Sequence, residues 1–121
     1  MSKKILVVED TEDNRRILYD LLSAAGYDMI EAHDGAEGVA KASEHRPDLI
    51  LMDIQMPVMD GYEATRRIKA DPVLKSIPVI AVTSYALSGD EDKARAAGCD
   101  GYVAKPFSPR QMLAKVREIL G

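Results

Sequence analysis

The sequence is poor in cysteine, histidine and aromatic residues, and it has no long apolar stretch. Its 121 residues include one Cys, two His, one Phe and no Trp. A single cysteine excludes an intrachain disulfide and is consistent with a reducing compartment. No apolar run approaches the roughly 20 residues of a membrane helix, and the run after Lys4 is too short for a secretion signal. We therefore expect a cytoplasmic protein that does not enter a membrane.

Clustered positive charge is also missing. The chain has 16 Lys and Arg against 20 Asp and Glu, a net charge of -4. Because the basic residues form no cluster, nucleic acid is not an expected partner. The chain does have a hydrophobic fraction of 46%, most of it aliphatic, which is enough for a core at this length. We expect residues 1–121 to form a single domain.

Five short apolar runs alternate with segments of helical spacing. Each run has the length and residue types of a buried strand. The predicted strands are Ile5–Val8, Tyr27–Ala32, Leu49–Met52, Val79–Val82 and Gly101–Ala104. This alternation predicts an α/β fold in which a five-stranded parallel sheet carries helices on both faces. Such a (βα)5 doubly wound sandwich is of the flavodoxin-like type.

Several predicted helices begin at residues that can cap them. The candidate caps are Thr11, Asp60 with Glu63, Ser88 with Glu91, and Ser108 with Gln111. One apolar stripe in the first helix consists of Ile17, Leu18, Leu21, Leu22 and Ala25. The helix from about Gly89 to Ala97 has almost no large apolar residue, so we expect it to be weakly anchored and able to shift.

Reactive side chains follow four of the five predicted strands. They are Glu9 with Asp10, Asp53, Thr83 with Ser84, and Lys105. Because the carboxyl ends of parallel strands lie along one edge of the sheet, these groups can converge. Crowded carboxylates need a cation, and oxygen ligands suit Mg2+, while a lysine and a hydroxyl suit the oxygens of a tetrahedral anion. Together they predict phosphoryl transfer to an aspartate nucleophile.

Asp53 is the centre of this set, although an acid after a strand often only caps the next helix. That reading is weakened because Asp60, with Glu63 three residues on, is a better cap for the same helix. Four consecutive apolar residues, 49–52, precede Asp53, as in a strand buried on both faces. We therefore interpret Asp53 as facing a site.

The chain resembles the CheY-like receiver domains of bacterial response regulators over all five βα units. The matching motifs are Val8-Glu9-Asp10, Met52-Asp53-Ile54-Gln55-Met56-Pro57 with Asp60-Gly61, Val82-Thr83, and Lys105-Pro106-Phe107. Within this family, the stretch from Asp48 to Met56 is similar to that of DivK-like single-domain regulators. The resemblance implies a signalling switch of a two-component system.

The resemblance also implies the roles of the strand-end residues. Asp53 would be the phosphoacceptor, and Mg2+ would bind Asp10, Asp53 and the backbone carbonyl of Gln55, with Glu9 in the outer shell. The phosphodonor would be a sensor histidine kinase or a histidine phosphotransfer protein. The domain would catalyse only its own phosphorylation and dephosphorylation, so it is not expected to be an enzyme with external substrates.

The resemblance further implies which residues act once Asp53 is phosphorylated. Thr83 and Lys105 would contact phosphoryl oxygens, the Lys105–Pro106 bond would be cis, and Tyr102 would change rotamer on activation. The output would be the face of helix 4, strand 5 and helix 5, which would bind a downstream protein or a second copy of the chain. Tyr85, two residues beyond Thr83, is interpreted as shielding the phosphoryl group from water.

Two other functional classes remain as alternatives. An aspartate-nucleophile phosphohydrolase typically has a second acid two residues after the nucleophile, where this chain has Gln55. A flavodoxin-like cofactor carrier needs a phosphate-binding loop after the first strand, where Glu9 and Asp10 would repel a phosphate. Both fit the sequence less well than a receiver domain.

Overall fold

The computed structural model describes residues 3–56, 59–83 and 90–120, in which five strands alternate with five helices. The strands are β1 Lys4–Val8, β2 Asp28–Ala32, β3 Leu49–Asp53, β4 Val79–Thr83 and β5 Gly101–Ala104. The helices are α1 Glu12–Ala24, α2 Gly35–His45, α3 Gly61–Ala70, α4 Asp90–Ala97 and α5 Pro109–Leu120. The predictions for Ser84, Tyr85 and Ser88 fall outside the described residues.

The five strands form one parallel sheet in the order β2-β1-β3-β4-β5. β1 and β3 lie in its interior, with Val8 opposite Met52, and β4 continues the sheet with Val82 opposite Asp53. The predicted fold class, a five-stranded parallel α/β sandwich, is therefore confirmed. Among the described helices, none has the length and apolar character needed to cross a membrane.

Helices cover both faces of the sheet. One layer packs α1 and α5 on it through Leu18, Leu22, Met112 and Val116. The other layer packs α2, α3 and α4 through Ala42, Ala64, Ile68 and Ala94. Because both faces are covered, β3 and β4 are buried along their whole length, as their continuous apolar runs predict.

The predicted caps are confirmed for α3 and α5 but not for α1. The Asp60 carboxylate accepts a hydrogen bond from the backbone N–H of Glu63 at 2.9 Å. At α5 the bonds are reciprocal, because Ser108 Oγ accepts from the N–H of Gln111 at 3.1 Å and Gln111 Oε1 accepts from the N–H of Ser108 at 2.8 Å. Thr11 occupies the N-cap position of α1, but its side chain makes no capping bond.

The predicted apolar stripe of α1 is wrong at Ile17. Leu18 and Leu22 are buried and Leu21 packs partly against them, whereas Ile17 is 58% exposed. Successive residues of a helix are turned by about 100°, so the face centred on Leu18 and Leu22 leaves Ile17 at its margin. Ile17 instead lies beside Phe107, which precedes α5, on the molecular surface.

α4 is attached to the sheet by small side chains. Of its described side chains, residues 91–97, the buried ones are Ala94 and Ala97. Two alanines remove much less apolar area from water than the buried leucines of α1 do. This packing agrees with the weak anchoring expected from the sequence, while movement of the helix stays a prediction.

Gly61 begins α3 directly against the end of β3. A Cβ at this position would collide with the backbone oxygen of Asp53 and would lie 2.9 Å from the Cα of Ile54. Both opposing atoms belong to the main chain, which cannot rotate away as a side chain can. The absence of a side chain at position 61 is therefore what allows α3 to start beside Asp53.

We predict that Gly61→Ala destabilises the fold by about 1–3 kcal/mol, because the start of α3 must move to admit the methyl group. Gly101→Ala is the matched control. A Cβ there lies 3.4 Å from Ile80 Cγ1 and 3.5 Å from Ile119 Cδ1, an ordinary contact, and alanine suits a strand interior better than glycine. Urea unfolding of the two variants tests this, and equal midpoints would contradict the close-approach explanation.

Candidate functional site

The predicted site residues meet at one edge of the sheet. Glu9 follows β1, Asp53 ends β3, Thr83 ends β4 and Lys105 follows β5. β3 lies between β1 and β4 in the sheet, so Asp53 is flanked by the residues that end these two neighbours. The topology thus collects side chains that are separated by up to 96 positions in sequence, as between Glu9 and Lys105.

Three carboxylates form a cluster at this edge. Glu9, Asp10 and Asp53 each offer an oxygen atom, and the three oxygens lie within 4.8 Å of one another. Glu9 and Asp53 are buried, at 2% and 4% exposure, whereas Asp10 is exposed. The cluster therefore has two acids in the protein interior and one acid at its mouth.

Lys105 supplies positive charge next to the acids. Its Nζ lies 3.0 Å from Glu9 Oε1 and 3.6 Å from Asp53 Oδ1. The contact with Glu9 is a charge-assisted hydrogen bond, whereas the one with Asp53 is a longer ion pair. One ammonium cannot neutralise three carboxylates, so the cluster keeps a surplus of negative charge. The Lys105–Pro106 peptide bond is cis, as the family resemblance implies.

Crowding and burial separate the pKa values of the acids. Burial, followed by the hydrogen bond and charge of Glu9, raises the pKa of Asp53 to about 7. Burial also acts to raise the pKa of Glu9, but hydrogen bonds with Asp53 and Lys105 outweigh it and lower that pKa. Burial and Glu9 raise the pKa of Asp10. Without a cation, Glu9 is therefore the ionised partner and Asp53 holds a proton up to near neutral pH.

The donor set fits a small, hard dication. All three clustered ligand atoms are carboxylate oxygens, which suit Mg2+, and the surplus negative charge is what such an ion would relieve. The backbone N–H of Gln55 donates to Asp53 Oδ1 at 3.3 Å, so the main chain of Gln55 runs beside the same carboxylate. The assignment of individual ligands stays a prediction.

Thr83 and Tyr102, the two residues of the predicted switch, lie on the neighbouring strands β4 and β5. Thr83 is fully buried at the end of β4, and its Oγ1 accepts a hydrogen bond from the side-chain amide of Gln55. Tyr102 lies opposite Ala81 of β4 and packs, partly buried, against the α2, α3 and α4 layer. The switch itself is a prediction about a second state.

Sequence reasoning missed two residues that hold Glu9. The side-chain amide of Asn14 donates to Glu9 Oε1 at 3.0 Å, and Arg15 Nη1 donates to the backbone oxygen of Glu9 at 2.8 Å. Polar residues early in an amphipathic helix are normally taken as solvent-facing. They follow Glu9 by five and six positions, and this spacing predicts contact with Glu9 only when the geometry of the turn from β1 into α1 is known.

The chain belongs to the response regulator receiver domain family, whose sequence profile matches residues 5–117. Receiver domains are signalling switches that act with histidine kinases and downstream targets in two-component systems. Over 121 residues the chain is 46% identical to the polar-differentiation response regulator DivK of Brucella anthropi, covering 100% of this chain and 98% of that protein. The DivK of Brucella ovis is 45% identical with the same coverage. The resemblance predicted from the motifs is confirmed.

Solved structures give the same result. The chemotaxis protein CheY4 of Vibrio cholerae superposes with a TM-score of 0.93 at 31% identity, covering 98% of this chain and 99% of that one. The receiver domain of the sensor histidine kinase PA1611 from Pseudomonas aeruginosa also has a TM-score of 0.93, at 37% identity, and covers 100% and 99%. That receiver domain has a magnesium ion coordinated in its active site cleft.

The pKa of Asp53 predicts a pH dependence of stability in metal-free buffer. The folded chain holds the Asp53 proton up to about pH 7, whereas an unfolded chain loses it near the ordinary value of 3.8. Between these values the folded state binds more protons, so Asp53 makes stability fall as pH rises. Glu9 acts in the opposite sense, but its contribution is complete above its ordinary value of 4.5.

We therefore expect Asp53→Asn in EDTA to be more stable than wild type by roughly 1–3 kcal/mol at pH 8, with the difference shrinking toward pH 5. Asparagine keeps a donor for Glu9 and removes the charge. Denaturant unfolding of both proteins between pH 5 and 8 gives the difference at each pH. A constant difference, or a less stable variant at pH 8, would show that repulsion at Asp53 is not the cause.

Proposed function

We propose that the chain is a phosphorylation-dependent switch that accepts a phosphoryl group on Asp53 from a histidine kinase or a histidine phosphotransfer protein. The observation that supports this most strongly is the buried Asp53 carboxylate between two further acids and the Lys105 ammonium. A nucleophile in this setting has groups for a dication on one side and for an anion on the other. Membership of the receiver family supports the same assignment.

In the proposed transfer, an oxygen of Asp53 attacks the phosphorus of a phosphohistidine. A P–O bond forms, and the bond from phosphorus to the imidazole nitrogen breaks. The attacking carboxylate must be ionised, and burial together with Glu9 raises the pKa of Asp53 to about 7, so neighbouring groups that favour the charged form also favour the attack. Lys105 would pair with one phosphoryl oxygen, and the hydroxyl of Thr83 would donate to another.

Mg2+ is the proposed cation, held by Asp10, Asp53 and the backbone carbonyl of Gln55. When bound, it supplies the positive charge that offsets carboxylate repulsion and the charge on the phosphoryl oxygens. The hydrogen bonds of Glu9 with Asn14 and Lys105 support an indirect, outer-shell role for this acid. The magnesium ion in the cleft of the PA1611 receiver domain supports the choice of metal.

The phosphodonor protein is proposed to dock beside α1. Asp53 is only 4% exposed, so a donor histidine must enter the cleft and its protein must cover the surface around it. A groove of about 440 Å³ opens next to Glu9 and Lys105, and Ile17, Leu18, Pro106 and Phe107 line its apolar part. The 58% exposure of Ile17 supports the proposal that this groove is part of a protein-binding surface.

We assign the output to a different face, formed by α4, β5 and α5. Glu91, Arg95, Tyr102 and Lys115 line a small groove there, and its charged rim suits a protein partner, either a downstream target or a second copy of the chain. Residues 1–121 are proposed to act as one receiver domain that catalyses only its own phosphorylation and dephosphorylation. The proposed compartment is the cytoplasm, where a free thiol such as Cys99 stays reduced.

We predict that a small-molecule phosphodonor with Mg2+ adds one phosphoryl group, seen by intact-mass spectrometry, and that EDTA abolishes the addition because the acids then repel the donor. Asp53→Asn should lose the labelling completely. Asp13→Asn, which removes an exposed acid of α1, is the matched control and should label like wild type. Labelling of Asp53→Asn, or full labelling in EDTA, would refute the proposed phosphoacceptor site.

Activation should also alter the output face. Beryllofluoride, which mimics a phosphoryl group on a carboxylate, should change backbone amide shifts in residues 90 to 105 when Mg2+ is present, because α4 is held by few apolar contacts. Asp53→Ala should show no such changes. Shifts confined to the neighbours of Asp10, Asp53 and Lys105 would mean that the signal leaves by another route.

A further inference from the structure

The side chain of Gln55 links the phosphoacceptor loop to the residue expected to sense phosphorylation. Its amide Nε2 donates a hydrogen bond to Thr83 Oγ1, which is fully buried. Its backbone N–H donates to Asp53 Oδ1 at 3.3 Å. One residue therefore contacts both Asp53 and Thr83 before any phosphoryl group is present.

The bond to Gln55 fixes where the Thr83 hydroxyl lies in the unphosphorylated protein. A hydroxyl oxygen can accept hydrogen bonds, and that of Thr83 accepts one from the Gln55 amide. Breaking such a bond in a buried environment has a cost, because the hydroxyl has no bulk water to replace the lost partner. Any displacement of Thr83 toward Asp53 must stretch or exchange this bond.

We propose that Gln55 is a positioning residue whose side chain restrains Thr83 and so stabilises the unphosphorylated form. The inference rests on the proposed function, in which Thr83 moves to donate to a phosphoryl oxygen. The Gln55 side chain would therefore oppose the movement of Thr83 that accompanies activation. The restraint depends on the amide alone, because the backbone groups of Gln55 are unaffected by its side chain.

The test is the affinity for beryllofluoride in saturating Mg2+, measured by calorimetry on wild type and on Gln55→Met. Methionine keeps the length of the side chain and removes the amide donor. A ligand that selects the displaced Thr83 should bind Gln55→Met about five-fold more tightly, the equivalent of one hydrogen bond. Asp13→Asn, which removes an exposed acid of α1 outside the site, is the matched control and should bind beryllofluoride within about two-fold of wild type.

Thr83→Val provides the second half of a double-mutant cycle. It removes the hydroxyl, so adding Gln55→Met in that background should no longer change the affinity for beryllofluoride. Equal or weaker binding to Gln55→Met than to wild type would overturn the restraint, as would a five-fold gain that persists with Val at position 83. If wild type itself bound no beryllofluoride, the proposed function would fail first, so the two failures are distinguishable.

Discussion

Two carboxylates, those of Glu9 and Asp53, are buried side by side at the end of the sheet, and the rest of the site depends on how their repulsion is met. The Lys105 ammonium lies within ion-pair distance of both acids, and burial together with Glu9 raises the pKa of Asp53 to about 7. A raised pKa disfavours the charged carboxylate, which is the form of Asp53 that could act as a nucleophile. A dication held by these acids would favour the charged form, so in the proposed function metal binding and activation of Asp53 would be coupled.

Several features of the fold stabilise Glu9 and Asp53 in spite of their mutual repulsion. Glu9 follows β1 and Asp53 ends β3, and apart from Lys4 the residues of these two neighbouring strands are buried. The large apolar core to which they belong offsets the cost of the crowded carboxylates. Gly61 lets α3 begin against the strand end, and Asp60 caps that helix from outside the cluster. Because a separate acid performs the capping, Asp53 is left for the site. The bonds from Asn14 and Arg15 then hold Glu9 in place from the side of α1.

The sequence was most informative where one physical rule dominated. Continuous apolar runs ending in polar residues predicted β3 and β4 and the convergence of Asp53 with Glu9, because parallel strands end at a common edge. The sequence was less informative about helix orientation. Ile17 and Leu18 are adjacent apolar residues at the margin and the centre of one stripe, and only the packing of α1 on the sheet shows that Leu18 is buried while Ile17 is exposed. Thr11 failed as a cap for a similar reason, since its side-chain geometry depends on the turn that leaves β1. The contact between Gln55 and Thr83 joins the loop after β3 to the end of β4, and residues so far apart in sequence give no local signal of it.

The two ends of the sheet differ in how firmly they are held, and this difference gives a signal a direction. At the N-terminal ends of β4 and β5, away from the site, Lys69 of α3 donates to Asp100 at 2.8 Å and to the backbone oxygen of Ile77 at 2.8 Å. These two bonds attach α3 to the segments that precede β4 and β5. The Asp100 carboxylate also accepts from the N–H of Val79 at 2.9 Å. In the proposed switch, a displacement of Thr83 would therefore be opposed at the far ends of β4 and β5, where these hydrogen bonds hold the strands in place. The buried side chains described for α4 are alanines, whereas α3 buries Ile68 and α5 buries Met112 and Val116, so moving α4 exposes less apolar area than moving α3 or α5.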